Sequence, residues 1–284
     1  MAEEGWGHSG GPAEAAGIRL DAAITQRGLA RSRTIAAQLI TAGLVSVDGK
    51  PVVKASARVA DEQDVTVAGA DHYVSRAAHK LIAALDTFPV AIEGALALDV
   101  GASTGGFTQV LLERGARRVI ALDVGHDQLA PPVRADERVS IIEGYNARSM
   151  TRGSLATASG IDASELDISR VVADLSFISI PLVLPAVVET VGTTAQYVLL
   201  VKPQFEVGRT GIREGIVRQP HLRTDAVTGV LWAGWDLGLG TAGVISSPIA
   251  GAGGNHEYLV WLSADSGSSP SEWTDTVTAL TEAT

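Results

Sequence analysis

The sequence predicts an α/β protein in which a mostly parallel, seven-stranded sheet follows a small α+β module. Three observations carry this. Seven short aliphatic runs between Leu96 and Trp261 alternate with stretches of helical period, a pattern that sets parallel strands beneath helices on both faces. A glycine turn, Asp99-Val-Gly-Ala-Ser-Thr-Gly-Gly-Phe107, joins the first run to the helix that follows it. Residues 18–68 have short helices, a hairpin signal and a basic face of their own.

Residues 1–17 are small, polar and acidic, and are expected to form a disordered tail. Arg19 to about Gly28 reads as a short helix, with Ile18, Leu20 and Ile24 at apolar positions. Ser32 can cap a second helix through Ile35, Ala36, Leu39 and Ile40, which Gly43 stops. Leu44-Val-Ser-Val47, Asp48-Gly49 and Lys50-Pro-Val-Val53 read as strand, turn and strand. Asp64-Val-Thr-Val67 resembles a further strand, and residues 69–72 form a linker.

The second domain is expected over 73–263. Val74, Ala77, Ala78, Leu81, Ile82 and Leu85 predict a helix over Tyr73–Leu85. Strands are predicted at Leu96–Val100, Arg118–Asp123, Val139–Ile142, Val171–Asp174, Tyr197–Val201, Ala242–Ser246 and Glu257–Trp261. Helices fall at Thr108–Arg114, in part of 151–168, from Pro181 to about Val191, and within Arg218–Trp235. Residues 264–284, rich in Ser, Asp, Glu and Thr, read as a polar tail with room for one final helical turn.

Composition narrows the function classes. The 284 residues are 46% hydrophobic but only 5% aromatic, so aliphatic side chains must fill the core. The absence of cysteine excludes disulfides, thiolate catalysis and cysteine zinc sites. Six dispersed histidines suggest no metal site. The amino terminus lacks the apolar core of a signal peptide, and no window has the length and hydrophobicity of a membrane span, so cytoplasmic residence is the expectation; no interface signature stands out, so a monomer is expected. A net charge of -10 argues against indiscriminate nucleic-acid binding. The charge is uneven, however: Arg19, Arg27, Arg31, Arg33, Lys50, Lys54 and Arg58 are opposed in their segment only by Asp21 and Asp48. Such a local basic face suits RNA.

The glycine turn points to a nucleotide-type cofactor. Gly101 permits a tight turn, Gly105 a close backbone approach, and the following helix offers its first N–H groups. Asp123 ends the second strand, 22 residues beyond Gly101, where a carboxylate can accept ribose hydroxyls. The spacing is Gly-x-x-x-Gly-Gly rather than the dinucleotide Gly-x-Gly-x-x-Gly, so S-adenosylmethionine and a nicotinamide cofactor both stay open on the turn alone. Asn146, after the third strand, could bond the adenine region. Asp174 and Lys202 lie at the ends of adjacent predicted strands, with Glu257 near a late one, and ligands of such sheets bind beyond the carboxyl ends of the strands.

Many ordered motifs then coincide. They include Ala30-Arg-Ser-Arg33, Tyr73-Val-Ser-Arg76, Lys80-Leu81, Leu98-Asp-Val-Gly-Ala-Ser-Thr-Gly-Gly-Phe-Thr108, Asp123-Val-Gly125, Asn146-Ala-Arg148, Asp174-Leu-Ser-Phe-Ile-Ser179, Lys202-Pro-Gln-Phe-Glu206 and Gly253-Gly-Asn-x-Glu257. With these motifs the chain resembles the TlyA-type ribosomal RNA 2'-O-methyltransferases, or haemolysin A-like proteins, over roughly residues 18–262. The resemblance implies a Rossmann-like class I methyltransferase domain related to the FtsJ enzymes, behind an RNA-binding domain of the ribosomal-protein type. It implies methyl transfer from S-adenosylmethionine to a ribose 2'-hydroxyl of ribosomal RNA within ribosomal subunits, with no DNA or membrane partner. The family's Lys-Asp-Lys-Glu tetrad falls on Lys80, Asp174, Lys202 and Glu257. Lys202 would be base or alkoxide stabiliser, oriented by Asp174, while Lys80 and Glu257 would fix the target ribose. Cofactor contacts would come from Asp99, Gly101, Ser103, Thr104, Gly105, Gly106, Phe107, Asp123, Val124, Asn146 and Asp174. RNA contacts would come from Arg19, Arg31, Ser32, Arg33, Lys50, Lys54, Arg58 and Arg76.

The chain departs from the family pattern at Ala77-Ala78, where two glycines are usual, and at Ala130-Pro-Pro-Val-Arg134, which lacks the usual aromatic. No tetrad residue is lost. A noncatalytic RNA-binding or ribosome-assembly protein, a cytolysin and a nicotinamide dehydrogenase are the competing readings. No export signal or basic amphipathic segment favours the cytolysin, and no acid–base histidine favours the dehydrogenase.

Overall fold

A computed structural model describes residues 17–30, 32–67, 72–208, 212 and 214–283. The expected tail before Gly17, most of the 69–72 linker, Arg31 and Arg209 lie outside the described residues. The chain divides into two compact units, one ending at His72 and the other spanning Tyr73–Thr284.

The first unit runs β1 (Ile18–Arg19), α1 (Leu20–Gln26), α2 (Arg33–Thr41), β2 (Val45–Val47), β3 (Lys50–Pro51), β4 (Arg58–Val59) and β5 (Val65–Val67). β2 pairs antiparallel with both β3 and β5, and β1 pairs with β4. The Ser32 hydroxyl accepts the Ile35 N–H and starts α2. Asp48 and Gly49, with φ of 49° and 73°, close the tight turn between β2 and β3. Leu20, Ala23, Ile24, Ala36, Ile40 and Val45 are fully enclosed and form a small core. Asp21, beside that core, binds Arg19 at 3.0 Å and Arg33 at 3.1 Å. The hydrogen bonds from Arg19 foremost, then Arg33, hold its carboxyl down at about 2.

The second unit runs α3 (Ala78–Thr87), β6 (Leu96–Val100), α4 (Gly106–Glu113), β7 (Arg118–Leu122), α5 (Pro131–Arg134), β8 (Val139–Ile142), α6 (Arg152–Ser159), β9 (Ile168–Ala173), α7 (Leu184–Val191), β10 (Gln196–Val201), α8 (Pro203–Glu206), α9 (Pro220–Asp236), β11 (Gly240–Ser246), β12 (Tyr258–Ser263) and α10 (Thr274–Glu282). The sheet order is β11-β12-β10-β9-β6-β7-β8. β8, β7, β6, β9 and β10 are parallel, but β12 is antiparallel to both of its neighbours. The sheet is therefore mixed, though mostly parallel.

Strand alternation builds a core on each face. Leu98, Val100, Val171, Leu199 and Val260 meet α6, α7, α9 and α10 on one face. Ala97, Val172, Val198, Leu200 and Leu259 meet α3 and α4 on the other.

Two expectations need correction. The predicted helix over Tyr73–Leu85 starts only at Ala78. Val74 is apolar because it packs beside Leu129 and Val133, and its N–H donates to Gln109 at 2.9 Å. The polar tail is likewise no solvated tail: α10 buries Val277 in the main core, with Leu280 and Trp273 against it. Its Thr, Asp and Glu residues fill the exposed positions and mask the short apolar stripe.

Candidate active site

The strand register brings distant residues to one edge. Leu199 stands opposite Ala173 across β10 and β9, and Val201 opposite Tyr258 across β10 and β12. Asp174 and Lys202 thus leave two parallel strands side by side. Glu257 enters the antiparallel β12 at the same edge. Lys80 joins them from the first turn of α3.

Two ion pairs result. Lys202 Nζ lies 2.6 Å from Asp174 Oδ1 and donates to Ser176 Oγ at 2.8 Å. Lys80 Nζ lies 2.5 Å from Glu257 Oε2. Lys80, Lys202 and Glu257 are buried, yet neither lysine lacks a counter-charge. Two ammonium groups at a sheet edge, each oriented by a carboxylate, can bind and stabilise an oxygen that is losing its proton.

The loop beyond Asp174 is shaped by a residue that the sequence reading did not single out. Glu206 accepts Ser179 Oγ at 2.5 Å and the Ile180 N–H at 3.0 Å, tying the loop after β9 to α8. Burial pushes the Glu206 carboxyl upward. In the same loop Phe177 has φ 64°, an uncommon conformation for an aromatic residue. Phe177 is 92% exposed. Its ring centroid lies 5.2 Å from that of Phe205, and Lys202 Nζ lies 6.0 Å from the Phe205 ring. A lone Phe within a loop sequence gives no signal that separates it from a core residue.

The glycine turn fits a sulfonium nucleoside cofactor. Gly101 has φ 86°, and a Cβ there would sit 2.9 Å from the Asp174 carbonyl oxygen, so only glycine lets the turn approach β9. Gly105 has φ 93° and starts α4, whose first N–H groups point into the turn. Asp123 accepts the Ser103 N–H at 2.8 Å and the Gly125 N–H at 2.7 Å, and each carboxylate oxygen keeps a lone pair for a ribose hydroxyl. Asp99 is wholly buried and accepts Thr108 Oγ1 at 2.6 Å, while its Oδ1 has no hydrogen-bond partner. Asp99, Asp123 and Asp174 together favour a ligand with positive charge, such as a sulfonium with an amino group. Val124 and Asn146 are exposed nearby in sequence, and the Asn146 side chain accepts the Arg148 N–H at 3.0 Å. Thr104 accepts the Ala130 N–H with its carbonyl. The Phe107 side chain packs into the core with Leu111.

Burial first, and the charges of Asp174 and Asp123, push the Asp99 carboxyl up to about 7. An acid raised on folding contributes stability below its unfolded value, near 4, and loses it as pH rises through the folded value. The ligand-free protein should therefore become less stable between about pH 4 and pH 7. In Asp99→Asn this decline should flatten, read as urea midpoints at several pH values; an unchanged slope would assign it to other groups.

The RNA-contact candidates of the first unit are placed unevenly. Lys50 and Lys54 are exposed, and Arg58 is exposed but donates to the Gly17 carbonyl at 2.8 Å. Arg19 and Arg33 are held by Asp21 with their outer surfaces open. Ser32 is occupied as a helix cap. Arg27 is turned onto the carbonyls of Ala60, Asp61 and Gln63. In the second unit, Arg76 is exposed.

Comparison with known proteins places both units in known families. The model of the FtsJ-like methyltransferase family matches residues 73–264, and that of the S4 domain matches residues 18–65. The chain is 47% identical over 247 residues to the 16S/23S rRNA (cytidine-2'-O)-methyltransferase TlyA of Mycobacterium tuberculosis, covering 86% of this chain and 89% of that protein. It is 38% identical over 243 residues to Hemolysin A of Brachyspira hyodysenteriae, covering 85% of this chain and 98% of that protein. A solved structure from Streptococcus thermophilus, described as a hemolysin, superposes with a TM-score of 0.69 at 35% identity, over 94% of this chain and 95% of that one.

Proposed function

The chain belongs to the TlyA-like family of rRNA 2'-O-methyltransferases and hemolysins, and from that membership we propose that it methylates a ribose 2'-hydroxyl of ribosomal RNA with Lys202 at the attacking oxygen. It is an S-adenosylmethionine-dependent methyltransferase acting on rRNA. The observation that carries the finer reading is the Lys202–Asp174 pair beside the Gly101 turn.

S-adenosylmethionine, when bound, supplies an electrophilic methyl group. Gly101, Gly105 and the first N–H groups of α4 would cradle it, Asp123 would hold its ribose, and Asp99 would complement its charge. Lys202, held by Asp174 and Ser176, would accept the proton of the 2'-hydroxyl or stabilise the alkoxide that develops as the hydroxyl loses it. Lys80, fixed by Glu257, orients the target ribose from the α3 side. Among the four residues, only the lysines touch the substrate; the carboxylates hold them in place.

Residues 18–68 contribute grip. Lys50 and Lys54, with the outer surfaces of Arg19 and Arg33, would neutralise phosphates without reading bases. Phe177 would stack on an unstacked base near the target ribose. The cytidine named for the Mycobacterium tuberculosis relative is the natural candidate here too. The hemolysin names of other relatives invite a membrane-active reading, but among the described residues no helix is long and apolar enough to cross a membrane.

The test is transfer of labelled methyl to undermethylated ribosomal subunits, with the product ribose mapped. Label at a 2'-oxygen supports the reading; label only on a base would overturn it. Phe177→Ala should raise KM for the subunits about tenfold, the worth of one stacked base, while Phe177→Trp should keep it near the wild-type value. Equal KM values for both variants would remove Phe177 from substrate binding.

A further inference from the structure

Buried polar groups form a continuous line from the end of the chain to the candidate active site. Arg223, on α9, is 3% exposed. Its Nη2 donates to the Thr281 carbonyl in the last turn of α10 at 2.6 Å, and its Nη1 to the carbonyls of Arg218 at 3.1 Å and Val217 at 3.5 Å. A helix end leaves such carbonyls without intrahelical partners, and a cation there also suits the helix dipole.

The next link is Asn255. Its Oδ1 accepts the Val217 N–H at 3.1 Å and its Nδ2 donates to the Gly215 carbonyl at 2.8 Å. One side-chain amide thereby joins the segment that Arg223 holds. The Asn255 carbonyl in turn accepts the Gly251 N–H at 2.9 Å. Gly251 forms the seat of Glu257: a Cβ on residue 251 would overlap Glu257 Oε1. The other carboxylate oxygen of Glu257 takes Lys80. The Arg223 charge also reaches His256, immediately before Glu257; burial foremost, then Arg223, lowers the His256 imidazole.

From this chain of contacts we infer that Arg223 is a positioning residue for the Glu257–Lys80 pair, and that α10 serves as a strut of the active site. The inference rests on the proposed role of that pair in holding the ribose. A buried guanidinium is an expensive way to fill space, since apolar side chains of similar volume often serve stability as well or better. A guanidinium does what they cannot: it fixes three carbonyls from two segments in one plane. Fixing the 215–218 segment fixes Asn255, and Asn255 closes the loop on which the Glu257 carboxylate rests.

The experiment compares Arg223→Met, Arg223→Lys and Asn255→Asp with wild-type full-length protein. Turnover and KM on undermethylated subunits, S-adenosylmethionine affinity and thermal midpoint are measured for each. Arg223→Met should lower kcat at least about tenfold, because small displacements of a catalytic group have large rate effects, with KM and cofactor affinity within about twofold of wild type. Arg223→Lys, which keeps the charge but has fewer donors, should recover part of the loss. Asn255→Asp, which removes the donor to Gly215, should lower kcat in the same way. A lower thermal midpoint with unchanged kcat in Arg223→Met would overturn the inference. Should Arg223→Met fail to fold, wild-type turnover in both Arg223→Lys and Asn255→Asp would overturn it equally. Lys202→Ala serves as the control for the underlying reading: full activity in that variant would sink the reading itself, whereas its loss beside normal Arg223 variants would sink only the inference.

Discussion

Lys202→Ala should lower single-turnover methyl transfer by about 10³-fold, within the range for losing a group that manages a proton or its charge in the transition state. The ammonium of Lys202 is held from two sides, by Asp174 at 2.6 Å and by Ser176 at 2.8 Å. The Asp174 carboxylate would be left beside Asp99, already a strained neighbour for another negative charge. Lys202→Arg separates the two effects. It keeps the charge, and with it most of the stability, but its planar fork cannot place a donor where the shorter ammonium points. Isothermal titration with S-adenosylmethionine should show both variants binding the cofactor with near wild-type affinity. Transfer by Lys202→Ala within about threefold of wild type would remove Lys202 from the chemistry, given that a positioned acid–base group contributes at least about 10²-fold.

Glu257→Ala should be the most destabilising single change in the site, costing about 3–5 kcal/mol. Lys80 and Glu257 side chains are 10% and 2% exposed, so removing the carboxylate strands a cation with little access to water. The variant Lys80→Met with Glu257→Leu replaces both charges by apolar groups, and such replacements are often neutral or stabilising. The double variant should therefore regain most of the stability while remaining inactive. Urea unfolding of the two proteins beside wild type gives the answer. An unchanged midpoint for Glu257→Ala would mean that Lys80 escapes to solvent, and that the pair is no fixed part of the site.

Asp174 and Lys202 were legible because each ends a parallel strand, and a strand run with a charge at its carboxyl end is visible in sequence. Glu257 reached the same edge by a different route. Its strand starts at Tyr258 and runs in the opposite direction, so the residue precedes a strand instead of ending one. Hydrophobic runs carry no sign of strand direction. Ser176, Phe177 and Glu206 were invisible as a unit, because loops have no period and their partners come from another segment. The final helix was hidden by its composition: Val277 and Leu280 are too few to mark a period among Thr, Asp and Glu.

The Lys80–Glu257 pair joins residues 177 positions apart in the chain. During synthesis the lysine leaves the ribosome first, and at about 5–20 residues per second its partner follows roughly 9 to 35 seconds later. Until then α3 displays an unmatched cation and the sheet lacks β12. An enzyme that modifies ribosomal RNA is thus born incomplete beside it: the nascent chain has no closed active centre until β12 has been made.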